Sequence, residues 1–122
     1  MHARATNTYR AVDLQSAPKS DIMLRLFYRF AGDCSQARKA MMAHDIKTKG
    51  AALDHAMAIV NELQASLNHE AAPELCKHLE NVYRFVTSRL LTASVKMDIK
   101  MLDEASNMMA GIAETMAQAQ GK

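Results

Sequence analysis

Residues 45–67 read DIKTKGAALDHAMAIVNELQASL, and the fold turns on them. Asp45 is suited to cap a helix, and apolar residues follow at Ile46, Leu53, Ala56, Val60, Leu63 and Leu67. Steps of seven, three, four, three and four draw a single stripe along a helix that packs on neighbours over its length. Val60, Leu63, Leu67 and Ala56 are the expected core contribution.

Working backwards, Ser20 and Asp21 are candidate N-caps for a first long helix. Ile22, Leu26, Phe30, Cys34, Ala37 and Met41 follow on one face, widened by Met23, Phe27 and Ala31. Residues 20–43 would make a rod of roughly 36 Å at 1.5 Å per residue. Residues 1–19 form an N-terminal arm or short helical turn, with Tyr9, Val12 and Leu14 as its apolar points.

Working forwards, His44 and Asp45 make the first corner, the central helix ends near Asn68, and residues 69–72 connect to Pro73. Proline is at home in a first helical turn. Leu75, Leu79, Val82, Val86, Leu90 and Ala93 then repeat the helical spacing. Met97 and Asp98 form the tightest corner. The last helix carries Met101, Leu102, Ala105, Met108, Met109, Ile112 and Met116, and residues 120–122 are a frayed tail. Its face of Met and Ala makes it the weakest of the four. Connections this short force antiparallel neighbours, so the expected fold is an all-α, up-down-up-down four-helix bundle over residues 20–119.

Composition agrees. The 122 residues are 49% hydrophobic, with only four glycines and two prolines. Fifteen basic against thirteen acidic side chains leave +2, too little to imply nucleic acid or an anionic membrane surface. No apolar run approaches the roughly 20 residues of a membrane span. Cys34 and Cys76 fall on buried positions and do not make a disulfide framework, which suits a reducing, cytoplasmic setting.

Catalytic chemistry finds no footing. Metal sites in helical bundles use Glu-x-x-His pairs, and no acid here stands three residues before a histidine. There is no glycine-rich phosphate loop and no convergent nucleophile and base, so no enzyme, metal or cofactor is expected. Ala43-His44-Asp45-Ile46-Lys47 resembles the start of the histidine phosphotransfer motif, which gives the alternative reading of a phosphotransfer module using His44. That role requires an imidazole exposed in mid-helix, whereas His44 is expected at a corner, and Thr48 replaces the motif's glycine. Ten methionines, including the pairs Met41-Met42 and Met108-Met109, suit a surface that accommodates an apolar partner helix.

These residues together resemble the flagellar secretion chaperones of the FliS family. Asn7-Thr8-Tyr9 is similar to the family's Asn-x-Tyr start, and Ile22-Met23-Leu24-Arg25-Leu26-Phe27 to its Leu-Ile-Leu-Met-Leu-Tyr. The closest likeness is in the central stretch, at Asp45-Ile46, Lys49, Leu53, Ala56, Ile59-Val60, Glu62-Leu63 and Ser66-Leu67. Leu79, Tyr83, Leu90-Leu91, Ala93 and Asp98 extend it. Tyr28-Arg29 departs from the family's usual Asp-Gly, Ser94 replaces an Asn, and the usual C-terminal Trp is missing.

The resemblance implies a non-enzymatic cytoplasmic chaperone. Its partner would be flagellin, whose disordered C-terminal region it would hold against premature polymerisation and keep ready for type III export. Flagellar export-gate components are further partners that the resemblance leaves room for. On this basis Tyr9 from the arm, Ile22 and Leu26 from the first helix, and Ile46, Lys49, Leu53 and Met57 from the central helix are the expected flagellin-binding residues. Tyr9 and Val12 would cover part of the groove in the free protein.

Overall fold

The computed structural model describes residues 17–121, with side chains from Asp21 onward. Four helices follow in order: α1 (Ala17–Met42), α2 (Ile46–Ala65), α3 (Pro73–Lys96) and α4 (Ile99–Ala119). They pack antiparallel in a ring. α1 lies closely along α2, α3 lies along α4, α4 closes back on α1, and the α2/α3 seam is the least closely packed of the four.

Two boundaries differ from the sequence expectation. α1 begins at Ala17, so Ser20 and Asp21 lie inside the helix and do not cap it. Pro18 sits in the first turn, where a missing N–H removes no helical bond and the fixed φ favours the helix. α2 ends at Ala65 and not near Asn68. Ser66 terminates it: its N–H reaches the carbonyls of Glu62 (3.1 Å) and Leu63 (3.3 Å), and its hydroxyl donates to the Leu63 carbonyl at 2.8 Å. A serine that turns its hydroxyl onto the backbone competes with helix continuation. Asn68 shapes the following turn, its side-chain oxygen accepting the Ala71 N–H at 3.2 Å, and Pro73 opens α3.

The other two corners share one design. His44 (φ 55°) and Met97 (φ 53°) both adopt the left-handed conformation that closes a helix. The residue after each returns its N–H to the preceding helix, Asp45 to Ala40 at 2.8 Å and Asp98 to Ala93 at 3.0 Å. Each of those aspartates then caps the next helix. Asp45 Oδ1 accepts the Thr48 N–H at 3.1 Å, and Asp98 Oδ1 accepts the Met101 N–H at 3.2 Å. Hydrogen bonds from Thr48 hold the Asp45 carboxyl below its usual range. One left-handed residue and one Asp thus reverse the chain. Because helix direction alternates, both corners lie at the same end of the bundle.

Inside the ring the stripes meet. Leu24, Phe27, Phe30, Cys34, Ala37 and Met41 of α1 join Leu53, Ala56, Ile59, Val60 and Leu63 of α2. α3 adds Cys76, Leu79, Tyr83, Val86 and Leu90, and α4 adds Leu102, Ala105, Met109, Ala113 and Met116. The four expected core residues Ala56, Val60, Leu63 and Leu67 are all buried. Both cysteines are buried and free, as expected of small apolar side chains. Peripheral charge pairs tie α4 on both sides, Arg38 to Asp103 across α1 and α4 (3.1 Å) and Arg89 to Glu104 across α3 and α4 (3.3 Å). Such exposed pairs each contribute little, about 0–1 kcal/mol.

A non-glycine residue in the left-handed region carries a steric cost of about 1–2 kcal/mol. His44 is exposed, so its side chain contributes no packing to offset that cost. His44→Gly is therefore expected to stabilise the protein by about 1 kcal/mol, read as a raised urea midpoint with unchanged slope.

Candidate binding surface

α2 has neighbours on both flanks, and the expected binding residues divide between them. His55 marks the α1 side. Its Nδ1 pairs with the Asp33 carboxylate and its Nε2 lies 3.3 Å from the Arg29 guanidinium, so α1 and α2 are bridged by a chain of three side chains. Arginine can only donate, so Nε2 accepts and the ring proton sits on Nδ1, facing Asp33. Ile22, Leu26, Arg29 and Asp33 step by four, three and four along α1, which sets Ile22 and Leu26 on this same seam. Further along it, Asp33, Gln36, Lys47, Thr48, Ala51, Ala52 and His55 line an open recess of about 530 Å³.

Met57 stands two residues from His55, and hence on the opposite side of the helix. Ile46, Lys49, Leu53 and Met57, spaced three, four and four, run along the α3 side of α2. The sequence reading treated them alike, but the structure separates them. Ile46 is 57% exposed. Met57 is half-buried against the core. Leu53 is 1% exposed and belongs to the core, with no surface to offer in the free bundle. Lys49 is only 7% exposed, and its ammonium donates to the Ser94 carbonyl on α3 at 2.9 Å. Tyr9 and Val12 lie outside the described residues.

The separation has a geometric cause. A residue at the start of a helix has no preceding turn and little of the neighbouring helix above it, so Ile46 stays open. Leu53, two turns further in, lies within the core cluster. Lys49 lies between them and reaches one of the last carbonyls of α3, a group without an intrahelical partner. A cation there also meets the negative end of the α3 dipole. Lys49 thus holds α2 to α3 at the corner end of the bundle.

Sequence reasoning missed the other half of this surface. Leu91 (50% exposed) and Val95 (84% exposed) stand one turn apart on α3, and Val95 adjoins the Ser94 whose carbonyl receives Lys49. The signal was present as an i, i+4 apolar pair displaced from the core stripe of Leu90 and Ala93. The seam between α3 and α4 exposes a second, smaller apolar strip: Phe85 and Met108 are partly open, and Val82, Met101 and Ile112 lie half-buried between them. The Arg89 guanidinium covers the Phe85 ring at 4.7 Å.

The methionines divide in the same way. In each adjacent pair one residue is core, Met41 and Met109, and its neighbour is exposed, Met42 and Met108. His44 stands exposed in a left-handed corner, outside any helix. This placement removes the phosphotransfer alternative, since a phospho-accepting imidazole must project from the middle of a helix. No helix among the described residues is long and apolar enough to cross a membrane, and no cluster of three metal-ligating side chains occurs among them.

A rigid helical ring with apolar side chains left open along its seams defines a scaffold for binding a partner chain. Comparison with known proteins gives the family. Residues 1–122 match the family described as "Flagellar protein FliS", and the chain belongs to it. It is 29% identical over 121 residues to the flagellar secretion chaperone FliS of Salmonella typhimurium, covering 95% of this chain and 90% of that protein. The FliS chaperone of Escherichia coli is 28% identical over 117 residues, covering 92% and 86%. The chaperone FliSB of Pseudomonas aeruginosa is 33% identical over 75 residues, covering 62% of this chain and 60% of that one. Family membership places the chain among chaperones, not enzymes.

Burial also tunes the thiol nearest the α1/α4 contact. Desolvation first, then the neighbouring Asp33 carboxylate, raises Cys34 from 9.0 to about 12, while a hydrogen bond with Ser106 opposes them. Burial likewise raises the Tyr83 phenol above its usual range. The folded state therefore keeps both protons at a pH where the unfolded chain releases them. Their contribution to stability is complete below about pH 9 and declines as pH rises towards 12. Urea midpoints should fall between pH 8 and pH 10.5, and Cys34→Ala should flatten that decline.

Proposed function

We propose that this protein is a cytoplasmic export chaperone for flagellin. It binds the disordered C-terminal region of the flagellin subunit, keeps it from polymerising and holds it competent for type III export. The single observation that carries this reading is the exposure of the apolar side chains Ile46, Leu91 and Val95 on α2 and α3, on a bundle of a family whose relatives bear the name flagellar secretion chaperone. A segment that is disordered alone and helical when docked needs what this bundle offers: a preformed scaffold and apolar seams along which an amphipathic helix can lie.

Ile22, Leu26, Ile46 and Met57 are the surface positions best placed for this contact. Leu53 belongs to the core beneath this surface and acts through the fold. Ile22 and Leu26 are on the α1 side of α2 and Ile46 and Met57 on the α3 side, so one partner that touches all of them must wrap around α2 and not lie in a single groove.

Mixing the protein with monomeric flagellin should give a stable 1:1 complex in size-exclusion chromatography and should suppress seeded filament growth. No complex at micromolar concentration would overturn the reading. Ile46→Glu is expected to weaken the complex at least tenfold while leaving thermal stability nearly unchanged, because the side chain is already exposed. Leu53→Ala acts on the fold itself, costing about 2–5 kcal/mol as buried leucines do.

The arm enters the same reading. Tyr9 and Val12 are proposed to cover part of the seam in the free protein and to move aside for flagellin. Removal of residues 1–15 should then change flagellin affinity measurably in titration calorimetry, and an unchanged affinity would remove the covering role.

A further inference from the structure

Lys49 has more hydrogen-bonding capacity than the fold uses. It is the one buried charged residue among those described, 7% exposed, and its ammonium makes one hydrogen bond, to the Ser94 carbonyl. An ammonium has three donors. None of the described carboxylates forms an ion pair with it. Its position in the first turn of α2 adds the positive end of that helix to its own charge. The Ser94 carbonyl and the α3 terminus offset only part of this. A buried cation left underpaired is costly unless a further acceptor reaches it.

The surroundings say what kind of acceptor can. Gly50, next to Lys49, leaves open space: a methyl group built there meets no atom within 4 Å. The α2/α3 seam that holds both residues is the least closely packed in the bundle. At the same end of the two helices, Ile46 stands three residues before Lys49, and Leu91 and Val95 flank Ser94 in the last turns of α3, all exposed and apolar. An incoming group must therefore carry negative charge at its tip and apolar surface just behind it. A chain terminus fits this description better than an acidic side chain. Its carboxylate lies on the main chain, so the side chains of the preceding residues are free to spread over the apolar rim. If that segment is helical, its unpaired last carbonyls add to the negative charge presented.

We propose that Lys49 receives the C-terminal carboxylate of the bound flagellin chain, with Ile46, Leu91 and Val95 seating the apolar residues just before it. This deepens the chaperone reading and rests on it. The contact gives polarity to the complex: the end of the partner chain sits at the His44 and Met97 corners, and the rest runs away from them along the seam. It also distinguishes a subunit with an intact terminus from a truncated one, because truncation moves the carboxylate to a different run of side chains.

The test uses the full-length protein and a synthetic peptide of flagellin's C-terminal region, made once as the free acid and once as the C-terminal amide. Calorimetric titration should show the amide binding about tenfold more weakly, the value of one charge-assisted hydrogen bond. In Lys49→Met that difference should collapse, with the two peptides binding alike. Circular dichroism of the variant, together with its retained affinity for the amide, separates this from loss of the fold. Equal binding of acid and amide to the unmodified protein would overturn the proposal while leaving the chaperone reading standing. So would an acid–amide difference that survives in Lys49→Met. If neither peptide binds, the chaperone reading itself fails.

Discussion

The reversal at His44-Asp45 and its counterpart at Met97-Asp98 constrain everything else in this bundle. Each corner spends one residue in the left-handed conformation and uses the next as an N-cap. A connection that short cannot carry the chain across the bundle, so α1 must lie beside α2 and α3 beside α4. Ring order and antiparallel direction follow, and both corners fall at one end. The opposite end has a looser link through Ser66–Ala72, built from a serine that stops α2 and an asparagine that turns the chain. The sparser packing of α2 on α3 goes with that longer link, while α4 against α1 closes the ring on the other side.

Lys49 works against that sparseness. Of the two seams between the hairpins, α2/α3 is the sparser, and the bond from Lys49 to Ser94 ties it where the corners meet. A leucine in its place would bury more comfortably but would leave the Ser94 carbonyl without this partner. A glutamate would face the negative end of α3. A long cation solves both problems, though at the cost of placing positive charge in the first turn of α2. The polarity of this end is thus set by competing helix termini, and among the described residues it is the one place where a buried side chain carries charge.

Much of the fold could be read along the chain because its signals are local. Periodicity located four helices, Asp45 and Asp98 announced two of their starts, and Pro73 a third. The errors arose where two local signals conflicted. Pro18 and Ser20 together read as a break followed by a cap, yet proline is equally at home inside a first turn, and α1 includes both residues. Leu67 continued the α2 stripe faithfully and is indeed buried, but Ser66 had already ended the helix. The binding surface was less legible because exposure depends on residues distant in sequence. Ile46 and Leu53 lie on one stripe with the same chemistry, and only the depth of each along α2 decides which one a partner can touch. The partner of Lys49 is 45 residues away, so no window of sequence around it reveals that it is buried.

The division of labour within short segments connects fold to function. Met41 is core and Met42 is surface, Met109 is core and Met108 is surface, Leu90 is core and Leu91 is surface. Adjacent residues on a helix differ by about 100° in direction, so one apolar neighbour added beside a core position broadens the stripe past the seam and into solvent. A helix needed only for stability gains nothing from that second residue, because its apolar area stays in water and forgoes the roughly 25 cal/mol per Å² that burial would contribute. The repeated doubling on α1, α3 and α4 is therefore hard to derive from folding alone. It becomes intelligible if those residues are buried in a second step, by a chain that arrives unfolded and completes its own helices against them.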